Sequence, residues 1–294
     1  MIRFLAEGVK HAFGLHHPGR NLKVYPDDVF IVSYPKSGNT WTRFLIANLV
    51  YPEKNPDFSN INELLPDPEA VSKRDLERTP RPRFIKSHQY FDPRFQKVIY
   101  IVRDPRDVVL SEYHFDIKRR AIAEDHPLAE FVSRFVRGEL NHPHGTWGEN
   151  AATWFYTRRG DARFLLVRYE DLQSQALQEM ERIAGFLHLP PDRQRLTVAI
   201  EQSSADRMRE LEKKQAHLWS STRETRKDKP FVRSAKSGGW KAELPPASVL
   251  EIEAAWGSLM AEMGYELVSS TKPPASDSPF AESVVGGFSR GLSQ

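Results

Sequence analysis

Cationic and hydroxyl side chains are concentrated in residues 34–41, which read YPKSGNTW. Lys36 supplies a full positive charge, Ser37 and Thr40 supply hydroxyl donors, and Gly38 lets a ligand approach the backbone. The segment lies between an apolar run and a helical pattern, and a helix N-terminus adds unpaired N–H groups and about half a positive charge. Such a site binds phosphate well, so the segment predicts a phosphate-binding loop; the alternative is a capped turn without a ligand.

The order of residues in this loop differs from that of ordinary ATPases and kinases. Their motif is G-x-x-x-x-G-K-[ST], with the lysine after the second glycine. Here Lys36 precedes the single glycine, Gly38, and Trp41 follows with a ring that a nucleotide base could contact. A nucleotide-dependent kinase is therefore the weaker interpretation.

A second candidate anion site lies in residues 97–115, which read KVIYIVRDPRDVVLSEYHF. Arg103 follows a predicted strand, and Ser111 comes eight residues later, about two helical turns along. A guanidinium at a strand end can form forked, charge-assisted bonds to phosphate. The alternative is that Arg103 pairs with Asp104 or Asp107.

Both segments resemble motifs of the sulfotransferases that use 3′-phosphoadenosine 5′-phosphosulfate (PAPS). Residues 34–41 are similar to the family's 5′-phosphosulfate loop, Y-P-K-S-G-T-x-W, with Asn39 in place of threonine. The second segment resembles the 3′-phosphate motif R-N-x-x-D-x-x-x-S-x-Y. The resemblance implies that the nucleotide is bound by Lys36, Ser37, Gly38, Asn39, Thr40, Trp41, Arg103 and Ser111. Two anion sites on neighbouring strand–helix units suit a bisphosphorylated nucleotide, whereas a protein that binds plain ATP has no use for the second.

Residues 84–88, FIKSH, resemble the family's K-T-H segment. The resemblance implies that His88 is the general base and that Lys86 and Lys36 stabilise the transition state. Histidine suits this role because its ordinary pKa is about 6.5. The chain has ten histidines, and only the motif distinguishes His88. The implied reaction is in-line transfer of a sulfuryl group, with PAPS as the co-substrate and without a metal.

Weaker similarities follow towards the C-terminus. Tyr169 falls on an adenine-contacting position, and Ser204 on a position that bonds to adenine. Ala205 replaces the phenylalanine that stacks on the base in the family, so either some affinity for the base is lost or Trp41 carries the stacking alone.

Residues 231–241, FVRSAKSGGWK, resemble the family's R-K-G-x-x-G-x-W-K. Arg233 and Gly238 match phosphate-binding positions, and Lys236 is expected to replace a missing lysine by charge. We call residues 223–241 the basic segment. It has seven basic and two acidic residues and a net charge of +5, so the rest of the chain carries −2.

Short β-branched runs followed by helical patterns are expected to position these groups. Strands are predicted at 29–33, 83–86, 98–102 and 164–167, with helices at 40–51, 105 onward, 174–187, 206–214 and 245–262. This alternation predicts a single α/β domain: a central parallel sheet flanked by helices, of the P-loop-kinase-like nucleotide-binding architecture that the resemblance implies. Ligands bind such sheets at the carboxyl ends of the strands.

The domain is predicted over residues 24–267, with an N-terminal extension at 1–23 and a disordered tail, rich in Ser, Pro and Gly, at 268–294. The chain contains no cysteine, which excludes disulfides and a thiol nucleophile, and it has no apolar run long enough to span a membrane. These features and the family favour a cytoplasmic location.

The acceptor is expected to be a small molecule with a hydroxyl or amine group, and its identity stays open. Its pocket is expected among residues 52–82 and 116–150, where the candidate wall residues are Phe58, Phe131, Phe135 and Trp147, with a core position as the alternative. The family's dimer motif is absent, so the oligomeric state stays open. A non-catalytic PAPS-binding protein is a further alternative; a nucleic-acid-binding protein is disfavoured because the chain outside the basic segment is net acidic.

Overall fold

Four parallel strands form a sheet in the order β2-β1-β3-β4 in the computed structural model, which describes residues 10–269 except 12, 141, 142, 191, 220 and 234. The strands are β1 (Val29–Ser33), β2 (Phe84–Ser87), β3 (Lys97–Val102) and β4 (Phe164–Arg168). All four lie within one residue of the predicted bounds. Since every pairing is parallel, all four carboxyl ends lie at one edge of the sheet.

Helices cover both faces of the sheet. Their bounds are α1 (Asn39–Val50), α2 (Ile61–Leu64), α3 (Lys73–Arg78), α4 (Pro105–Lys118), α5 (Leu128–Val136), α6 (Trp147–Arg158), α7 (Tyr169–Ser174), α8 (Ala176–Phe186), α9 (Arg193–Gln202), α10 (Ala205–Gln215), α11 (Trp240–Glu243) and α12 (Pro246–Glu262). Short 3₁₀ turns occur at Gly19–Asn21 and Pro52–Lys54.

Alternate side chains of the strands enter two separate cores. On β1, Phe30 and Val32 pack with residues of α4, α5, α6 and α12. Val29 and Ile31 pack with α1, α8, α9 and α10 on the other face. Because both faces are buried, every residue of β1 is buried, which explains its continuous apolar sequence. The predicted single α/β domain with a central parallel sheet is confirmed.

Helix starts follow the expected chemistry at the second anion site. Asp104 caps α4 by accepting a hydrogen bond from the N–H of Arg106, and Pro105 occupies the first position. At α6, Thr146 and Glu149 form a reciprocal capping box that the sequence analysis did not identify. Polar caps of this kind fix where a helix begins.

Two helical predictions need correction. The helix expected at 174–187 consists of α7 and α8, with a break at Gln175, and α7 begins at Tyr169. The segment 188–241, expected to be helical only at 206–214, also contains α9. This helix was missed because its sequence, RQRLTVAIEQ, has few apolar residues, and only Leu196 and Ala199 are buried.

The ends of the predicted domain are only partly described. Val268 and Ser269, placed in the expected tail, donate backbone hydrogen bonds of 3.0 and 2.8 Å to the carboxylate of Glu253. Residues 270–294, which make up the rest of that tail, lie outside the described residues, as do residues 1–9. Within the described part of the chain, no helix is both long and apolar enough to cross a membrane.

Candidate active site at the strand ends

The candidate residues nearest the sheet follow its four strands directly. The loop containing Lys36 follows β1, His88 follows β2, Arg103 follows β3 and Tyr169 follows β4. The pairings of Val32 with Ser87, Ser33 with Ile101 and Val102 with Arg168 align these ends. The backbone ladder therefore brings together groups that are up to 133 residues apart in sequence.

The loop after β1 has a backbone shape that depends on its residues. Gly38 has φ of +96°, and a Cβ atom there would lie 2.5 Å from Cδ2 of Tyr169. The position thus requires glycine both for its φ value and for the close approach of this ring. Lys36 also has a positive φ, +64°, which is uncommon for a lysine.

The side chain of Asn39 ties the start of α1 to strand β1. Its side-chain amide donates hydrogen bonds to the carbonyl of Ile31 and to the hydroxyl of Ser33, at 3.1 and 3.2 Å. The predicted role of this residue in nucleotide binding is therefore left to its backbone and to Oδ1, which has no partner among the described residues.

Polar donors in the same loop remain available. The hydroxyl of Ser37 is buried and has no hydrogen-bond partner in the described part of the chain. No side chain caps α1, because the residue before it is Gly38. Leaving a buried polar group unpaired costs about 1–3 kcal/mol, so an acceptor supplied by a ligand would be favourable here. The half-buried Thr40 adds a second hydroxyl in the first turn.

The ammonium group of Lys36 lies against aromatic rings. Its Nζ is 3.6 Å from the ring centre of Phe115 on α4 and 5.1 Å from that of Phe231 in the basic segment. Burial lowers the pKa of Lys36 to about 8, although the negative charges of Glu112 and Asp116 oppose the shift. Cation–π contacts of this kind stabilise the charged ammonium group at a place where burial disfavours its charge.

Arg103 lies over the ring of Tyr169, with 4.5 Å between Cζ and the ring centre. Its guanidinium donates to the backbone carbonyls of Lys36 and Lys236, both at 3.3 Å, and its Nε is buried without a partner among the described residues. Since carbonyls are neutral acceptors, these contacts leave Arg103 without an ion pair among the described residues, although its charge opposes the rise that burial causes in the pKa of Asp107 and of Glu170. Arg103 therefore links the first loop to the basic segment.

Arg103 forms no direct ion pair with Asp104 or Asp107 among the described residues, although its charge acts on Asp107. Asp104 instead forms an ion pair with Arg106 at 2.7 Å. The carboxylate of Asp107 accepts the N–H groups of Gly238 and Trp240, at 2.6 and 3.1 Å. Both carboxylates are thus engaged elsewhere, within the described residues.

The basic segment brings its predicted ligands to the face of α4 that carries Ser111. His114, one turn after Ser111, bonds to Glu243 at 2.9 Å, and Arg233 forms an ion pair with the same carboxylate at 2.9 Å. Gly238 is held to Asp107 through its N–H group, whereas the exposed side chain of Lys236 forms no ion pair with the described residues. In this structure Arg233 therefore has a carboxylate partner, whereas Arg103 has none.

The imidazole of His88 has a defined hydrogen bond. Its Nδ1 lies 2.7 Å from the carbonyl oxygen of Ser33. A carbonyl only accepts hydrogen bonds, so Nδ1 carries the proton and Nε2 has a free lone pair in the neutral ring. Burial and the charge of Lys86 lower the pKa of His88 well below 6.5, which keeps the ring neutral at pH 7. A neutral imidazole with a free Nε2 can act as a general base.

Lys86 points from β2 to a carboxylate that no motif in the sequence indicates. Its Nζ forms an ion pair of 2.6 Å with Oδ2 of Asp67, and both side chains are largely buried. The predicted transition-state lysine thus has a fixed position one residue before the end of β2.

The residues expected to contact adenine surround Tyr169. Trp41 and Tyr169 meet edge to face, with ring centres 5.5 Å apart. The indole N–H of Trp41 donates to the carbonyl of Ser203 at 2.8 Å, which brings the start of α10 to this side of the site. Ser204 caps α10 by accepting from the N–H of Arg207, and it remains exposed.

Comparison with known proteins agrees with this geometry. The sequence profile of the family described as "Sulfotransferase domain" matches residues 26–264. Rat sulfotransferase 1E1 is 26% identical over 238 residues, which cover 76% of this chain and 79% of the relative. Human sulfotransferase 2B1 is 30% identical and covers 82% of this chain and 68% of its own.

The chain belongs to the sulfotransferase family. It is an enzyme of this class, as the two phosphate motifs predicted. Solved structures share the fold: mouse sulfotransferase SULT7A1 complexed with 3′,5′-bisphosphoadenosine (PAP) has a TM-score of 0.67 at 21% identity, covering 85% of this chain and 89% of that one. Retinol dehydratase in complex with androsterone and PAP has a TM-score of 0.68 at 19% identity, covering 86% of each chain. The predicted P-loop-kinase-like architecture of the sulfotransferases is thereby confirmed.

Three residues of this sulfotransferase site were missed from the sequence. Asp67 holds Lys86, Asp107 holds the basic segment, and Glu243 pairs with Arg233. Asp107 was considered only as a possible partner of Arg103, and nothing in the sequence indicated that it bonds to the N–H groups of the basic segment. Asp67 lies 19 residues before Lys86, and Glu243 lies beyond the end of the motif at 231–241, so no local pattern identifies either residue.

The four candidate residues of the acceptor wall lie in the core, which is the alternative that the sequence left open. Phe58, Phe131, Phe135 and Trp147 are all buried, with at most 3% of each residue exposed. Phe58 belongs to the core on the α1 face of the sheet and the others to the core on the α4 face. Large aromatic side chains are common in the cores of proteins, because each of them buries a large apolar area and so contributes strongly to the free energy of folding. The described residues also contain no cluster of three or more His, Asp or Glu side chains that could hold a metal ion.

Proposed function

We propose that this sulfotransferase uses PAPS as donor and transfers its sulfuryl group to a hydroxyl or amine group of a small molecule. The observation that carries the proposal is a pair of donor groups at neighbouring strand ends, neither of which bonds to a carboxylate of the described residues. Ser37 follows β1 with a buried, unpaired hydroxyl, and Arg103 follows β3 with a guanidinium that bonds to two backbone carbonyls but forms no ion pair with the described residues. A ligand with an anionic group at each end satisfies both.

The loop after β1 would bind the 5′ end of the donor. Lys36, the hydroxyls of Ser37 and Thr40 and the N-terminus of α1 supply positive charge and hydrogen-bond donors at one place. Arg103, Ser111 and the basic segment would bind the 3′-phosphate, with adenine near Trp41 and Tyr169. The PAP complexes of two structural neighbours support this assignment, since they have the same fold.

His88 would remove the proton of the acceptor through Nε2. As the acceptor oxygen or nitrogen attacks sulfur, its bond to sulfur forms and the bond from sulfur to the 5′-phosphate oxygen breaks. The electron pair of the broken bond stays on the phosphate, where Lys36 and the loop N–H groups oppose the new charge. Lys86, next to His88 on the same strand end, would stabilise the sulfuryl group in transit.

The acceptor class follows from the chemistry of the proposed base. The names of similar proteins include retinol dehydratase with androsterone bound and an amine sulfotransferase from rabbit, so relatives differ in what they contact. A hydroxyl and an amine both fit a base with a free lone pair. Oligomeric state and the cytoplasmic location remain predictions.

Transfer of ³⁵S from labelled PAPS to a panel of simple phenols, steroid alcohols and arylamines tests the proposal. We expect labelled product with at least one class, and a decrease in turnover of about 10²–10⁴-fold in His88→Ala, the range for loss of a general base. His17→Ala is a matched control, because Nδ1 of His17 also bonds to a carbonyl, that of Val71 at 2.9 Å, but lies on the surface. Wild-type turnover in His88→Ala would refute the assignment of the base.

A further inference from the structure

Asp67 occupies a rigid turn beside the site. Its Oδ1 accepts the N–H of Glu69 at 3.0 Å, and its carbonyl accepts the N–H groups of Ala70 and Val71. The preceding residue, Pro66, accepts the N–H of Lys86 at 3.0 Å and so ties the turn to β2. One carboxylate oxygen is thus used to hold the turn, and the other, Oδ2, is directed at Lys86.

The contact between Asp67 and Lys86 is short and sheltered from water. Nζ and Oδ2 are 2.6 Å apart, and the side chains are 11% and 15% exposed for Asp67 and Lys86. Burial by itself opposes ionisation of Asp67, but the charges of Lys86 and Arg43 hold its pKa below the ordinary value. A carboxylate that stays ionised forms a charge-assisted bond, which is about twice as strong as a neutral one.

The same pair faces His88. Four groups act on this imidazole: Ser33 from β1 through its carbonyl, Lys86 from β2, Asp67 from the turn before α3, and His144 from the loop before α6, with ring centres 5.7 Å apart. The charges of Lys86 and Asp67 have opposite signs and opposite effects on protonation of the ring. Asp67 is therefore the group that offsets the lysine next to the proposed base.

We propose that Asp67 is a positioning residue for sulfuryl transfer: it fixes the ammonium of Lys86 beside His88 and balances its charge. This inference rests on the proposed roles of Lys86 and His88. It adds a residue that holds Lys86 within reach of the reacting group instead of letting a four-carbon chain sample many positions. Fixing a catalytic group in this way raises turnover without adding a contact to the substrate.

The first test is an NMR titration of the His88 imidazole in the full chain, assigned by comparison with His88→Ala. We expect Asp67→Asn to lower the pKa of His88, since the charge of Lys86 is then no longer offset, and Lys86→Met to raise it. Adding Asp67→Asn to Lys86→Met should lower it again. If Asp67 only braced the fold, its loss would expose His88 and move the pKa up towards 6.5, the opposite direction.

The second test is turnover in the ³⁵S assay. Asp67→Asn should lower kcat about 10-fold with little change in the KM for PAPS, the size expected for loss of one charge-assisted hydrogen bond. It should have little further effect when Lys86 is already methionine, because the two residues act as a unit. Asp27→Asn is the matched control: its carboxylate also pairs with a cation, Arg81, but both side chains are more than 40% exposed and Asp27 lies before the start of β1, so kcat should stay within about twofold of wild type.

The outcomes separate the inference from the proposed function. Wild-type kcat and an unchanged His88 titration in Asp67→Asn, together with impaired Lys86→Met and His88→Ala, would overturn the inference alone. Wild-type turnover in all of these variants would overturn the proposed roles of Lys86 and His88. Thermal melting of each variant confirms that folded proteins are compared.

Discussion

The strand-end residues and the basic segment contribute to one proposed nucleotide site, but they are held in different ways. His88, Arg103 and Tyr169 are fixed by backbone ladders, because each follows a strand whose neighbours set its register. The basic segment has no strand among its described residues, and it begins a helix only at Trp240. Its position depends on individual side chains.

Three buried or half-buried groups hold the basic segment. Glu212 on α10 accepts the N–H groups of Phe231 and Val232 at 2.6 and 3.1 Å, and Asp107 on α4 accepts those of Gly238 and Trp240. Gln173 accepts the N–H of Ser237 at 2.9 Å. These bonds come from helices on both sides of the segment, so its shape follows from tertiary structure. We infer that the sheet sets the geometry of the strand ends, which we call the fixed half of the site. The basic segment is the adjustable half, because individual side chains position it.

The largest expected difference between the halves is in binding of the 3′-phosphate. Arg103→Ala should weaken PAP binding about 100-fold, since it removes a guanidinium with no carboxylate partner; loss of about 2.7 kcal/mol corresponds to this factor. Arg233→Ala should weaken it by about 10-fold or less, because Arg233 first has to leave Glu243. Calorimetric titration with PAP measures both. A larger effect at Arg233 would reverse the assignment of fixed and adjustable halves.

Substitutions at Gly38 and Gly160 allow steric crowding and backbone strain to be measured separately. Both have positive φ, +96° and +86°, but a Cβ atom at Gly160 meets nothing within 4 Å, whereas at Gly38 it meets the ring of Tyr169. Gly160→Ala should cost about 1–2 kcal/mol of unfolding free energy from strain. Gly38→Ala should cost about 1–3 kcal/mol more and should also weaken PAP binding. Urea denaturation gives the two free energies, and equal values would show that Tyr169 yields to the new methyl group.

The proton of Lys36 should make donor binding depend on pH. Because burial lowers its pKa to about 8, the ammonium is present below that pH and is lost as the pH rises through it. PAP affinity should be constant from pH 6.5 to about 7.5 and fall about 10-fold by pH 9, one unit above the pKa. Lys36→Met should remove this dependence. A flat profile in the wild type up to pH 9.5 would contradict the contribution of Lys36.

The smallest effect, of opposite sign, is expected at Glu243. Its carboxylate is shared by Arg233 and His114, both at 2.9 Å, on the half-exposed surface of the basic segment. Glu243→Gln should free Arg233 and tighten PAP binding about threefold, within the 0.2–1 kcal/mol of exposed ion pairs. Glu262→Gln, which removes the partner of Arg159 far from the motifs, should leave affinity unchanged. Weaker binding in Glu243→Gln would show that Glu243 positions Arg233 for the phosphate.

The sequence predicted those parts of the molecule whose cause is local. Apolar, β-branched runs mark the strands and their ends carry the motif residues, so the four strands and the starts of α1, α4, α10 and α12 were predicted to within one residue. Where the cause is tertiary, the prediction failed or was silent. The acidic partners of Lys86 and Arg233 are identified only by the fold, and α9 buries too few side chains to show a strong pattern.

The acceptor side shows the same limit. Phe and Trp side chains are found both in pocket walls and in cores. The packing of Phe131 and Trp147 against α12 and the sheet shows that these two residues belong to the core. The resemblance to sulfotransferases predicted residues for the donor side because the motifs of that family share one ligand. Walls of an acceptor pocket have no such constant sequence.

Two anion sites at neighbouring strand ends are proposed to bind one bisphosphorylated nucleotide. The measurement to make first is a thermal-shift comparison of PAP, adenosine 5′-phosphate and ATP with magnesium. At a ligand concentration of about 100 times the dissociation constant, a ligand specific for the folded state adds about 2.7 kcal/mol of stability. We predict a large shift with PAP and a much smaller one with the other two at the same concentration. A shift with ATP and magnesium that equals or exceeds that with PAP would contradict the claim and favour a nucleotide-dependent kinase.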